Sequence, residues 1–156
     1  MSTEGGTCRA CAQGTFALRN GSQCESCPVG MVAEKAGSSA CSACPAGKYE
    51  RLRQFCSDCS PGTISAAGSQ CESCPVGMVA EKAGSVACSA CPAGKHEERR
   101  QFCSACAPGT MSAAGSSSCT TCKAGFHAAS PGSSACEICA AGTFSEEGSV
   151  LDLSVS

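Results

Sequence analysis

The chain carries 18 cysteines, and all of them fall in nine copies of the frame Cys-x-x-Cys. The pairs are Cys8/Cys11, Cys24/Cys27, Cys41/Cys44, Cys56/Cys59, Cys71/Cys74, Cys88/Cys91, Cys103/Cys106, Cys119/Cys122 and Cys136/Cys139. Only 11, 12 or 13 residues separate consecutive pairs. Cysteines spaced in this way can form disulfides, hold zinc as thiolates or act as redox-active dithiols. Which of these applies decides the fold and the compartment of the protein.

The composition excludes an ordinary hydrophobic core. Leu, Ile, Val and Phe together make up 18 of the 156 residues, and there is no Trp. Chains with less than about 20% of these residues normally stay disordered, because burial cannot offset the entropy of ordering the backbone. Cysteine stands near 12%, above the roughly 8–10% that indicates a cross-linked scaffold. We therefore predict a fold that is held together by cross-links.

Internal repeats occur at two levels. The short unit has about 15 to 17 residues and recurs through residues 8–149, with units starting at 8, 24, 41, 56, 71, 88, 103, 119 and 136. The long unit has 47 residues, and its copies, 23–69 and 70–116, are identical at 40 positions. We treat residues 1–7 as a stub of a preceding unit and 150–156 as a tail that leaves the pattern.

The elements that must position the cysteines are short. A glycine stands three residues after each pair and predicts a tight turn, which should lead into a strand of two or three residues and a return to the next cysteine. One apolar or ring side chain follows two residues after each glycine: Phe16, Val32, Tyr49, Ile64, Val79, His96, Met111, His127 or Phe144. We expect this side chain to cover a neighbouring disulfide. The predicted fold class is small and disulfide-rich: an elongated tandem array of minimal β-hairpins with little or no helix.

Four-cysteine zinc sites are the alternative to disulfides, and several observations weigh against them. Zinc takes four ligands, so nine pairs leave one pair over. No histidine sits at ligand spacing along the chain. The 47-residue repeat holds three pairs, so pairing neighbours two by two would give identical sequences opposite roles. We therefore favour disulfides and expect no metal and no cofactor. An intracellular zinc-binding protein with four-cysteine sites is the alternative hypothesis.

The three-pair repeat also favours one disulfide pattern, although spacing alone cannot fix connectivity. An equivalent linkage at every step joins the second cysteine of each pair to the first cysteine of the next. The resulting hypothesis is Cys11–Cys24, Cys27–Cys41, Cys44–Cys56, Cys59–Cys71, Cys74–Cys88, Cys91–Cys103, Cys106–Cys119 and Cys122–Cys136. Cys8 and Cys139 then stay unpaired in this chain, and Asp152 stands where the next cysteine is due.

Several features of the sequence bear on the compartment of the protein, and they point in different directions. Disulfides indicate an oxidising compartment, and Asn20-Gly21-Ser22 is a possible N-glycosylation site. The N-terminus lacks the basic and apolar regions of a signal peptide. We interpret the chain as a fragment or an incomplete gene product of a secreted or cell-surface protein.

The sequence offers no catalytic set. His96 and His127 occupy the covering position and lack a nucleophile arrangement, so we predict no enzyme and no catalytic residue. A net charge of −2 does not indicate the basic surface that binding of nucleic acid requires. No run of 18 apolar residues exists, so no segment of this chain should span a membrane. In a longer product the chain could still be attached to a membrane protein.

The frame Cys-x-x-Cys-Pro-x-Gly-x-(aromatic or apolar), closing with Gly-Ser-x-x-Cys, resembles the cysteine-rich repeat of ephrin-receptor-like modules. These are similar in style to tumour-necrosis-factor-receptor and EGF-like cysteine-rich domains. Cys41–Tyr49 and Cys136–Phe144 carry the resemblance most clearly. It implies an extracellular, receptor-ectodomain setting, with the repeats serving as spacers or as contacts for a protein or glycan partner that the sequence does not identify.

Overall fold

The computed structural model describes residues 7–19, 21 and 23–150. Within this part of the chain there is no helix, and sixteen short strands form eight separate two-stranded sheets. The strands are β1 Thr15–Ala17, β2 Cys24–Ser26, β3 Met31–Val32, β4 Ser42–Ala43, β5 Lys48–Arg51, β6 Phe55–Asp58, β7 Thr63–Ile64, β8 Glu72–Ser73, β9 Met78–Val79, β10 Ser89–Ala90, β11 Lys95–Glu98, β12 Phe102–Ala105, β13 Thr110–Met111, β14 Thr120–Thr121, β15 Phe126–His127 and β16 Glu137–Ile138. The predicted small, disulfide-rich fold of minimal hairpins is confirmed.

Each hairpin starts at the predicted turn. The nine glycines that follow the cysteine pairs have φ between +79° and +86°, a region that side chains with a Cβ rarely adopt. The first strand leaves directly after the glycine, and the second strand lies at the next pair, as in β1 and β2, where Phe16 pairs with Glu25. The glycine therefore reverses the chain and sets the register of the hairpin.

Four strands are longer than predicted. β5, β6, β11 and β12 each have four residues, because a three-residue turn replaces the Gly-Ser return in these modules. Leu52, Arg53 and Gln54 form the turn between β5 and β6, and Leu52 and Arg53 have φ of 54° and 60°. Both values belong to the hairpin turn that normally carries Asn-Gly. The tight turn leaves more residues free to pair across the hairpin.

We expect the double variant Leu52→Asn with Arg53→Gly to stabilise the protein by about 1–2 kcal/mol, because both residues would then occupy positive φ with little strain. The guanidinium midpoint of the oxidised protein measures this change. Arg51→Gly, in strand β5, is the matched control and should destabilise by about 0.5–1 kcal/mol. Equal effects of the two variants would show that the turn carries no strain.

The chain divides into two compact units, Met1–Cys59 with Ser65–Glu72, and Ser60–Ile64 with Ser73–Ser156. In each unit, backbone hydrogen bonds join one module to the next. In the first unit, Gly14 N–H donates to Ala33 O (2.9 Å). In the second unit, Gly94 N–H donates to Ser112 O and Gly109 N–H to Ala128 O, both over 2.8 Å. Neighbouring modules are thus held together by main chain, without a large apolar interface.

The core of each module is small and made mainly of sulfur. The second cysteine of each of the first eight pairs is at most 4% exposed. Val32 and Val79, in the covering position, are buried beside Ala33 and Ala80. Phe144 differs from the prediction for this position, because its ring is 87% exposed. Nowhere in the described residues is there a helix long and apolar enough to cross a membrane.

Candidate functional site

Eight disulfides form the chemical framework of the protein. Each joins the second cysteine of one pair to the first cysteine of the next, with Cα atoms 5.5–5.8 Å apart. The bonds are Cys11–Cys24, Cys27–Cys41, Cys44–Cys56, Cys59–Cys71, Cys74–Cys88, Cys91–Cys103, Cys106–Cys119 and Cys122–Cys136. Cys8 is free and exposed, and Cys139 is free and half-buried. The possible glycosylation site Asn20 lies outside the described residues.

The backbone of the second cysteine in a pair is hydrogen-bonded on both sides. Cys44 shows the arrangement: its N–H donates to Gly30 O of the preceding turn (2.9 Å), and its carbonyl accepts from Gly68 N–H (2.8 Å). Cys106 repeats this with Gly94 and Gly132 over 2.9 and 2.8 Å. This cysteine is also buried and cross-linked, so it connects successive modules through both its backbone and its side chain.

The turn glycines also allow a close approach of two backbones. A Cβ placed on Gly94 would overlap the carbonyl of Gly132, and one placed on Gly30 would overlap that of Gly68. At Gly125, by contrast, an added Cβ would meet no atom of the described residues within 4 Å. Glycine is therefore required at Gly30 and Gly94 for space as well as for φ.

One disulfide has a histidine beside it. His96 Nδ1 lies 3.2 Å from Cys119 Sγ, so the ring covers the Cys106–Cys119 disulfide, as expected for its position. His96 Nδ1 and the two sulfurs all lie within 4.8 Å of one another. Spacing along the chain could not reveal this cluster, because His96 and Cys119 are 23 positions apart in the sequence and only the stacking of modules brings them together.

The second histidine has different surroundings. His127 is 5% exposed, and its Nε2 lies 4.0 Å from Glu137 Oε2. Its Nδ1 is buried and has no hydrogen-bond partner among the residues that the structure describes. No nucleophile stands beside either histidine among the contacts of the described residues. The buried ring of His127 packs in the interior of its module.

Hairpins joined end to end by regular disulfides define a cysteine-rich repeat protein. Residues 14–53 and 62–101 match the family model described as "tyrosine-protein kinase ephrin type A/B receptor-like", and the two matches cover just over half of the chain. The chain therefore belongs to the ephrin-receptor-like family of cysteine-rich repeats. No curated protein matches it. Repeats of this family are a non-catalytic module, and this one, with eight disulfides, suits an extracellular setting.

Proposed function

We propose that this chain is a segment of a secreted or cell-surface protein, in which it serves as a spacer. It would set the distance between the parts of the protein that precede and follow it. The exposed hairpin turns, such as Leu52 (73% exposed) and the exposed Arg53 beside it, would be the surfaces that a protein or glycan partner meets.

The observation that supports a spacer is the order of the contacts within each unit. The turn glycine of one module donates to a carbonyl of the next, as in Gly94 to Ser112 and Gly109 to Ala128. Each disulfide likewise closes over only 12 to 14 positions of sequence. In repeat proteins of this kind, stability and length are sums over neighbouring modules. Such a protein can be lengthened or shortened by whole repeats without redesigning a core.

The test is deletion of residues 70–116, one copy of the long repeat. The deletion joins Ser69 to Ser117 and leaves Cys59 with Cys119 as its partner at a spacing that the chain already uses. We expect the shortened protein to fold, and its radius of gyration to fall by roughly 30%, in proportion to length. A compact body of the same size would shrink by only about 13%. Small-angle X-ray scattering of the oxidised proteins distinguishes the two.

Insertion of a third copy of residues 70–116 after Ser116 is the matched control. It should extend the radius of gyration by a similar increment. If both variants follow the compact scaling, the spacer proposal is wrong, whatever partner the protein binds.

A further inference from the structure

The cluster of His96, Cys106 and Cys119 places an imidazole beside a disulfide, and a disulfide with a purely structural role needs no such neighbour. His96 lies in strand β11, which is bridged to Ser116, and Glu97 N–H donates to Ser116 O (3.0 Å). These bonds fix the strand against the segment that leads to Cys119. Cys106 is fully buried, whereas Cys119 and His96 are half-buried. The imidazole therefore stands at a set place on the accessible side of the disulfide.

The set of donors is one that zinc uses. Cys₂His with an open fourth position is an established zinc ligand set. Tetrahedral zinc with normal bond lengths places a nitrogen and a sulfur ligand roughly 3.6 Å apart. His96 Nδ1 and Cys119 Sγ, at 3.2 Å, are already close to that separation. Among the residues that the structure describes, no other group of three metal-ligating side chains comes as close together.

We propose that reduction of the Cys106–Cys119 disulfide opens a zinc site formed by His96, Cys106 and Cys119. The reductant is a low-molecular-weight thiol. Two equivalents of it give two electrons and two protons to the disulfide and leave as their own disulfide. Zinc then displaces the two protons and binds both thiolates and the neutral imidazole. Zinc binding removes the reduced form from the exchange equilibrium, and so favours opening of this disulfide over the others.

The backbone around the site is also held by hydrogen bonds that do not depend on the S–S bond. Cys106 N–H donates to Gly94 O and its carbonyl accepts from Gly132 N–H, over 2.9 and 2.8 Å. The β13–β14 hairpin pairs Thr110, which follows Cys106, with Thr121, which follows Cys119. Neither contact involves sulfur. The two sulfur atoms must move apart to admit the ion.

The long repeat supplies a natural comparison. The first copy carries Tyr49 where the second carries His96, and its corresponding disulfide is Cys59–Cys71. Tyr49 offers a phenol and no imidazole. We expect the corresponding disulfide in the first copy to respond to thiol alone and not to zinc.

The experiment uses the full oxidised chain in a glutathione buffer near neutral pH under anaerobic conditions, with and without Zn²⁺. After an acid quench, new thiols are alkylated and mapped by peptide mass spectrometry, and bound zinc is measured on unquenched samples. We expect zinc to raise the reduced fraction of Cys106 and Cys119 at least tenfold relative to the other seven disulfides. About one zinc ion should bind per chain.

The variants exchange the two natural residues. His96→Tyr should abolish the effect of zinc at Cys106–Cys119, and Tyr49→His should create it at Cys59–Cys71. A variant that still forms all eight disulfides in the absence of zinc is correctly folded. Either of the two variants, if it meets this condition, is sufficient to test the proposal. A zinc response that is equal at all disulfides, or unchanged in His96→Tyr, would falsify it. The spacer function is unaffected by these outcomes, because none of them changes the oxidised protein.

Discussion

Gly94→Ala should destabilise its region of the protein by about 4 kcal/mol or more, the range reserved for severe structural conflicts. An alanine Cβ at this position would overlap the Gly132 carbonyl, which is backbone and cannot rotate away. Relief would require loss of the bond from Gly94 N–H to Ser112 O or of that from Gly132 N–H to Cys106 O. Hydrogen exchange at the Gly94 and Gly132 amides, with the guanidinium midpoint, measures the effect.

Gly125→Ala is the matched control for this prediction. Its φ is +83°, against +82° for Gly94, so both variants carry the same left-handed strain of about 1–2 kcal/mol. Gly125 differs in that no atom of the described residues lies within 4 Å of an added Cβ. The difference between the two variants therefore isolates the close approach of the backbones. Similar losses in both would mean that φ alone requires glycine at these turns.

Removal of one interior disulfide should open a single module while the rest of the array stays folded. The double variant Cys74→Ala with Cys88→Ala removes a closure over 14 positions, which is worth about 3 kcal/mol in the chain-entropy model. We expect amide exchange between residues 75 and 87 to rise by about a hundredfold, since each 1.4 kcal/mol is a factor of ten. Amides in modules that do not contact this one should exchange at unchanged rates, because each module contacts mainly its neighbours.

Cys8→Ala is the control for cysteine chemistry, because Cys8 is free and exposed. It should leave exchange unchanged throughout the protein. Peptide mapping of each oxidised variant verifies that the remaining cysteines keep their partners. Global unfolding of the double variant would show that the modules depend on one another more strongly than neighbour contacts allow.

The general fold could be predicted from the sequence because the information is local. A glycine three residues after each pair requires a turn, as Gly94 does with φ +82°, and a cysteine-rich chain with 18 Leu, Ile, Val and Phe residues can only be a cross-linked fold. The absence of helix among the described residues follows from the frequent Gly, Ser and Pro.

The remaining features depend on contacts between modules and could not be read from spacing. Gly94 and Gly132 are 38 positions apart, and nothing in either local sequence indicates that their backbones meet. The approach of His96 to Cys119 has the same origin. The turn at Leu52 and Arg53 could not be predicted for another reason. Leucine and arginine disfavour positive φ, so the hairpin and its neighbours must impose this conformation.

The position of the disulfides has a mechanical consequence. The shortest covalent path through the array runs across each disulfide and then along one Cys-x-x-Cys segment, so the turn and the first strand of each hairpin lie outside it. Each step spans 5.5–5.8 Å between Cα atoms and at most about 11 Å of stretched backbone. Under tension a module could therefore extend to only about 16 Å, whereas 15 unlinked residues would reach roughly 50 Å. The maximum extended length of the array is therefore set by the number of cysteine pairs, and a longer loop within a module would not change it.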